Sequence, residues 1–170
     1  MTTTVRSVLA FGGGVLVAAV LAACSTPSTP PGVVRAFSPA ADKPITMSGV
    51  AQVDGGWRID ATAAGSVRLF EVPGETCDQC RLVYRARIRA TALASPAYLE
   101  MWVRAGGKGE FFSKGFDQKV RGTTEWATYE IPFFFQKGER ADLVKLNVAF
   151  EGPGGSLTIK DIELLKASLR

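Results

Sequence analysis

The sequence predicts an all-β fold, an antiparallel sandwich of two sheets with roughly eight strands. Two observations carry this prediction. From Ile45 onward, short stretches alternate between apolar and polar residues, and turns containing Gly, Pro or Asp separate them at regular intervals. After the first 23 residues, no stretch has the periodicity of an amphipathic helix. Short strands with turn signals between them are typical of sandwiches.

The first 23 residues have the composition of an export signal. A leader with one positive charge, Arg6, precedes an apolar run at residues 8–23 that is too short and too rich in glycine for a comfortable membrane span. The tetrad LAAC at residues 21–24 resembles the lipobox of bacterial lipoproteins. The resemblance implies that Cys24 becomes the N-terminus and carries a diacylglycerol thioether. An ordinary secretory signal or an N-terminal anchor helix is the alternative.

Residues 24–44 are expected to form a disordered tether. STPSTPPG at residues 25–32 is rich in Ser, Thr and Pro, and the stretch up to Pro44 contains breakers but no convincing strand. The predicted organisation is a signal peptide at 1–23, this tether, and one sandwich domain at 45–170. The lipid would place the protein in the bacterial cell envelope. By resemblance to diderm sorting rules, Ser25 suits the outer membrane, facing the periplasm.

Composition argues against several functions. The chain has 20 Lys+Arg and 16 Asp+Glu, a net charge of +4. This mild excess attracts acidic polymers or lipid head groups only weakly, and no nucleic-acid motif accompanies it. The chain has no histidine, which removes the commonest general base and zinc ligand. No pair of acids stands out, so the sequence favours a protein that is not an enzyme and has no certain cofactor.

Cys77 and Cys80 remain once Cys24 is assigned to lipid. Disulfides persist in exported proteins, and this pair lies in the turn VPGETCDQC. We predict a disulfide that closes a small loop and gives local rigidity, because so short a loop adds little global stability. A redox-active pair is the alternative. Such pairs usually lie at the N-terminus of a helix, and no helix is predicted here.

Strand candidates follow one another through the domain. TMSGVAQV, WRIDA and VRLFEV come first, and then a central pair, RLVYRARIRATA and AYLEMWVRA, joined by Ser95-Pro96. The glycine-rich AGGKGEFF is expected to be a loop, and WATYEIPFFF a strand in which Pro132 indicates an edge or a bulge. DLVKLNVAFE and SLTIKDIELL close the domain. In the last of these the apolar parity changes near Lys160-Asp161, which predicts a β-bulge.

Residues 57–165 resemble the galactose-binding-like jelly rolls, which include carbohydrate-binding modules. EMWVR, GTTEWATYEIPF and LNVAFEGPGGSLTIKDIEL carry the resemblance. Two motifs recur in this family. The first is Gly-Thr-Thr-acid-Trp directly before a strand, and the second is a closing strand that here contains Gly155, Leu157, Ile159, Asp161 and Ile162. The resemblance implies a jelly roll with a binding or accessory role. In many relatives the last aspartate helps to bind a structural calcium ion, here Asp161. The alternative is a bulge residue that bonds nearby backbone.

The outward face of the central pair is the candidate ligand surface. Strand alternation turns these side chains to solvent: Arg85, Arg87, Arg89, Tyr98, Glu100, Trp102 and Arg104, with Asn147 nearby. Sugar recognition needs aromatic faces and polar groups that bond hydroxyls, so we predict polysaccharide binding here. Tyr98 and Trp102 are about 13 Å apart along one strand, which suits a chain of sugars. If the glycan is acidic, the arginines would bind it directly.

Two alternatives stay open. The arginines would be ordinary cross-strand ion pairs on a wet sheet, and Trp102 would be covered by the glycine-rich loop. Phe111, Phe112 and Phe116 in and after that loop would then dock on an envelope protein, giving a structural or protein-interaction lipoprotein with no small ligand. Trp57 and Trp126 are expected to pack in the core or at its rim.

Overall fold

The computed structural model describes residues 31–53, 55–77 and 79–169, and these contain eleven β-strands and no helix. The strands are β1 Gly32–Phe37, β2 Val50–Val53, β3 Gly56–Asp60, β4 Gly65–Thr76, β5 Cys80–Thr91, β6 Leu93–Ala105, β7 Gly109–Lys114, β8 Val120–Gly122, β9 Ala127–Phe134, β10 Arg140–Phe150 and β11 Ser156–Ser168. Within the described ranges, nothing helical has the length and apolar character needed to cross a bilayer. The predicted signal segment and Cys24 lie outside them.

The strands form two antiparallel sheets, which confirms the predicted sandwich. Sheet A has the order β2-β3-β11-β5-β9, and β1 also pairs with β11. Sheet B has the order β4-β10-β6-β7, and β8 also pairs with β6. The strands outnumber the predicted eight because segments expected to be tether or loop also pair with the sheets.

The predicted central pair is divided between the two sheets. β5 lies in sheet A and β6 in sheet B, and the chain crosses at Ala92, which has a φ of 51°. Tyr84 and Ile88 of β5 and Met101 and Val103 of β6 are fully buried between the sheets. The predicted inward faces are therefore right, but the prediction of one shared outer face is wrong. The alternation of apolar and polar residues identifies the buried side of a strand, but it does not show which strand pairs with it.

The folded domain begins earlier than the predicted boundary at residue 45. β1, within the predicted tether, pairs with β11 from Gly32 opposite Lys166 to Phe37 opposite Ile162. Phe37 is buried and stacks on Phe70 of β4, with ring centroids 4.1 Å apart. Residues 32–37 therefore belong to the sandwich, because ladder hydrogen bonds and one apolar ring fasten them to it.

Two predicted details of the last strands are confirmed. The register between β11 and β5 shifts between Lys160 and Glu163, and Asp161 has a φ of 49°. This bulge lets Ile159 and Ile162, of opposite parity, both face the core. Pro132 lies in β9, which is an edge strand of sheet A.

The glycine-rich connection is a strand and not a loop. β7 pairs with β6 from Ala105 opposite Gly109 to Glu100 opposite Lys114. Gly107 and Gly109 have φ values of 71° and 106°, so the glycines make a tight turn and the residues after them return along β6.

A disulfide joins Cys77 and Cys80 at the start of β5, as predicted. Both residues are buried. This burial favours the structural role over the redox-active alternative, because reactive cysteines are at least partly exposed.

Candidate functional site

The structure separates the predicted ligand residues into two groups on opposite sides of the sandwich. Three of the four arginines, Arg85, Arg87 and Arg89, lie on β5, on the outer face of sheet A. The other five lie on the outer face of sheet B: Tyr98, Glu100, Trp102 and Arg104 on β6, and Asn147 on β10. Packed sheets are about 10 Å apart, so no single sugar ring contacts both groups.

Glu100 is the centre of a polar network on sheet B. Ser66 Oγ and Asn147 Nδ2 donate hydrogen bonds to Oε1 over 2.7 and 3.0 Å, and Lys114 Nζ lies 2.8 Å from Oε2. The strand register explains this arrangement, because Glu100 pairs directly with Asn147 on β10 and with Lys114 on β7. The carboxylate is only 1% exposed, and its hydrogen bonds make this burial tolerable.

The network holds Glu100 in its ionised form. Burial alone would raise the pKa of Glu100, but hydrogen bonds from Lys114, Asn147, Ser66 and Trp102 outweigh it and keep that pKa below its ordinary value. The hydrogen bond to Glu100 raises the pKa of Lys114. The two groups are therefore a charged pair at neutral pH.

Two aromatic pairs flank this network. Trp102 packs against Phe112 and Tyr98 against Phe116, with ring centroids 5.2 and 4.9 Å apart. Lys114 Nζ lies between them, 5.0 Å from the Phe112 centroid and 5.8 Å from that of Trp102. Trp102 is half-buried: Phe112 of the glycine-rich segment packs against its ring, and the ring still lines an open cavity. Tyr98 is buried, while Phe112 and Phe116 are more than half exposed.

A shallow cavity of about 340 Å³ opens beside Trp102. Its lining is Ser66, Arg68, Glu100, Trp102, Glu110, Lys114, Lys145 and Asn147. Within the described residues, Arg68 Nε and Asn147 Oδ1 are buried without a hydrogen-bond partner, and these two residues pair directly across β4 and β10. A buried donor and acceptor left unpaired are costly, and a ligand hydroxyl reaching them would relieve that cost. Arg104 lies outside the cavity and is exposed.

On sheet A the arginines differ from one another. Arg85 forms ion pairs with Glu163 at 2.7 Å and Glu130 at 3.5 Å, which is the ordinary cross-strand pairing of the alternative. Arg87 and Arg89 instead lie over the ring of Trp126. From the sequence, Trp126 is expected only to pack in the core or at its rim. Its position directly before β9, which pairs with β5, is the signal that links it to these arginines.

Asp161 is an exposed residue of the bulge. Its Oδ2 lies 3.9 Å from Arg87 Nη1. In the part of the chain that the structure describes, no three His, Cys, Asp or Glu side chains group in a way that could hold a metal ion. Asp42, the other acid considered for calcium, instead binds Arg35 and the backbone of Ser38. Among the described residues, no group of acidic side chains therefore surrounds Asp161.

Comparison with known proteins places the chain by its fold alone. No protein-family model and no curated protein matches it. An arabinose-bound α-L-arabinofuranosidase matches at 12% identity and a TM-score of 0.50, over 80% of this chain and 22% of the enzyme. A family 16 carbohydrate-binding module matches at 10% and 0.46, over 75% and 89% of the two chains. A family 4 module matches at 12% and 0.48, over 76% of both.

The strand topology makes the chain a β-sandwich, and the solved structures similar to it include carbohydrate-binding modules. It spans about a fifth of the arabinofuranosidase, so that likeness concerns one part of the enzyme. At these identities the similarity shows the fold and does not identify a ligand.

Proposed function

We propose that this protein is a non-enzymatic module that binds a carbohydrate chain on the outer face of sheet B. One observation carries the proposal: half-buried Trp102 and the network of Glu100, Asn147 and Lys114 line the same open cavity. Sugars present apolar C–H faces and hydroxyl groups, so they bind where an aromatic ring adjoins well-positioned polar groups. The exposed rings of Phe112 and Phe116 extend the surface along β7.

The charge balance of the cavity favours a neutral glycan. Lys114, Lys145 and Arg68 each have an acid within reach, at 2.8, 2.5 and 2.9 Å respectively. An acidic sugar would have to displace one of these carboxylates. Three of the four arginines that suggested an acidic glycan, Arg85, Arg87 and Arg89, lie on the other face of the sandwich, and Arg104 lies outside the cavity.

Trp102→Ala in the full chain is expected to weaken binding of neutral oligosaccharides by about tenfold, because a stacked aromatic contact contributes up to roughly 1.5 kcal/mol beyond the area that it buries. Calorimetric titration with xylo-, cello-, arabino- and galacto-oligosaccharides measures the effect. Phe134→Ala, which removes an exposed ring on sheet A, is the control and should bind like the original protein. Equal affinities in all three proteins, or no binding of any neutral glycan, would contradict the proposal.

A structural or protein-interaction role is the second candidate, and the exposed aromatics favour it. Phe111 is 45% exposed on β7, an edge strand, and does not line the Trp102 cavity. Unpaired strand edges with exposed apolar side chains readily add a partner strand. A crosslinked envelope partner that is lost in Phe111→Ser and kept in Trp102→Ala would favour this role.

We also propose that a lipid on Cys24 anchors the protein in the bacterial cell envelope. The proposal rests on the LAAC tetrad and the Ser-, Thr- and Pro-rich residues after it. Cys24→Ala is expected to move the protein from the membrane fraction to the soluble fraction, because stable anchoring depends on the acyl chains. Fractionation and immunoblotting check this, with Ser25→Ala as the control. A Cys24→Ala protein still found with membranes would contradict lipid anchoring.

A further inference from the structure

A second cleft lies on the outer face of sheet A, on the side of the sandwich opposite Trp102. Its volume is about 380 Å³, within the usual range for small-molecule sites. The lining is Val53, Arg58, Arg89, Thr91, Trp126, Ser156 and Thr158. Strands β3, β11 and β5 supply the floor, and the residue before β9 supplies the aromatic wall.

The strand register places two arginines on either side of one threonine. Thr158 on β11 pairs directly with Arg58 on β3 and with Arg89 on β5. Neighbouring strands are about 4.8 Å apart, so the two arginine backbones are separated by about 10 Å, with the hydroxyl between them. Thr158 and Ser156 are 9% and 6% exposed, so they form the floor and the longer side chains form the walls.

The cleft carries positive charge that is only partly neutralised. Arg58 has Asp60 at 2.9 Å, and Arg87 has Asp161 at 3.9 Å. Arg89 has no acidic partner among the described residues, and the same holds there for Lys160 beside it on β11. Among the described residues, Arg89 and Lys160 are therefore two cations without an acidic partner on this face, although the net charge of the whole chain is only +4.

Three cations lie around the ring of Trp126, which attracts them without neutralising their charge. Lys160 Nζ lies 4.6 Å from its ring centroid, and the guanidinium carbons of Arg89 and Arg87 lie 5.1 and 5.9 Å away. The negative face of an indole ring attracts cations and leaves their hydrogen-bond donors free for another group. Arg85, on the same strand face, shows the contrast, because Glu163 and Glu130 neutralise it.

We propose that this cleft binds the carboxylate or sulfate group of an acidic polysaccharide. Arg89, which has no acidic partner among the described residues, holds the anion on one side above the Thr158 hydroxyl. Arg58 holds it on the other side, because its pair with Asp60 is about half exposed on both side chains and costs little to open. A guanidinium group donates two parallel hydrogen bonds that match an oxyanion, and a hydroxyl adds a third donor. The cleft is concave, with an aromatic wall and a hydroxyl floor, which fits a sugar residue better than a flat lipid surface. This site is separate from the proposed neutral-glycan site and has different chemistry.

The test compares two full-chain variants that lose the same charge. Arg58→Gln/Arg89→Gln removes both walls of the cleft, whereas Arg121→Gln/Arg140→Gln removes two exposed arginines of sheet B outside both sites. The probes are polygalacturonate for carboxylates, dextran sulfate for sulfates and dextran as the neutral polymer. The unaltered protein is expected to bind at least one anionic polymer and to bind dextran more weakly. The cleft variant should lose about tenfold in affinity and the control less than about twofold.

Several outcomes would overturn this site. Equal losses in the two double variants would mean diffuse attraction by net charge. If neither anionic polymer binds, the proposed site is wrong. It is also wrong if binding that depends on Arg58 and Arg89 is seen only with phosphatidylglycerol vesicles, since the ligand would then be a membrane surface. Trp102→Ala should keep its affinity for the anionic polymer. The two proposals can also fail separately. If the original protein binds no neutral glycan, and if anionic binding is lost only in Arg58→Gln/Arg89→Gln, the proposed function is contradicted and this site is supported.

Discussion

Trp57→Ala is expected to lower the free energy of unfolding by about 3–5 kcal/mol, the usual cost of deleting a large buried aromatic side chain. Trp57 is 1% exposed and packs edge-on against Phe70, at 5.1 Å between centroids. Phe70 in turn stacks on Phe37 of β1. The substitution therefore opens a cavity between the sheets and also loosens the first strand. Chemical denaturation followed by circular dichroism measures the change.

Trp126→Ala is the matched control for this prediction. It removes the same side chain from the surface of sheet A, where Trp126 is only half-buried. Its unfolding midpoint should stay much closer to that of the original protein. If Trp57→Ala unfolded at the same denaturant concentration as the original protein, with the same dependence of the unfolding free energy on denaturant, then Trp57 would not join β1 and β3 to sheet B as argued.

Glu100→Ala is expected to cost about 2–3 kcal/mol, because it leaves the amide of Asn147 and the ammonium of Lys114 without their acceptor. Lys114 is 23% exposed, so water can partly replace the lost carboxylate, and the cost stays below that of a fully buried pair. Glu100→Gln keeps the shape and one acceptor, so its loss should be smaller. Thermal unfolding at neutral pH compares the stability of the two variants. A Glu100→Ala protein as stable as the original protein would contradict the stabilising role of the network.

The same carboxylate predicts a pH dependence. Because the pKa of Glu100 is lower in the folded than in the unfolded protein, its ionised form stabilises the fold above the ordinary value of 4.5. That contribution is lost as the pH falls through the folded pKa. The original protein should therefore lose more stability than Glu100→Gln as the pH falls below the ordinary value of 4.5. Parallel stability curves for the two proteins would contradict the assignment.

The inward faces of the strands could be predicted from the sequence, but the neighbours of each strand could not. Ser95-Pro96 suggested a turn between two adjacent strands, yet both residues lie within β6. The actual crossing is at Ala92, and an alanine at positive φ gives no signal in a sequence, since alanine rarely adopts that conformation. Placing β5 and β6 in one sheet followed from this ambiguity.

The candidate site shows the same limit. Trp102, Glu100 and Asn147 could be found because they sit on the polar side of apolar strands. Lys114 and Ser66, which complete the network, come from β7 and β4, and their approach depends on the order of strands in sheet B. Side-chain alternation contains no information on that order.

Under the proposed lipid anchor, the antiparallel pairing of β1 with β11 would also decide which end of the sandwich lies nearer the bilayer. If Cys24 is lipidated as proposed, the eight residues from it to Gly32 reach at most about 29 Å when fully extended. Gly32 lies opposite Lys166, at the end of the sandwich that holds the Cys77–Cys80 disulfide. Thr158 and Asn147 both lie toward the other end. The two proposed sites would thus be held away from the lipid, on opposite flanks, where one molecule can touch two polymers.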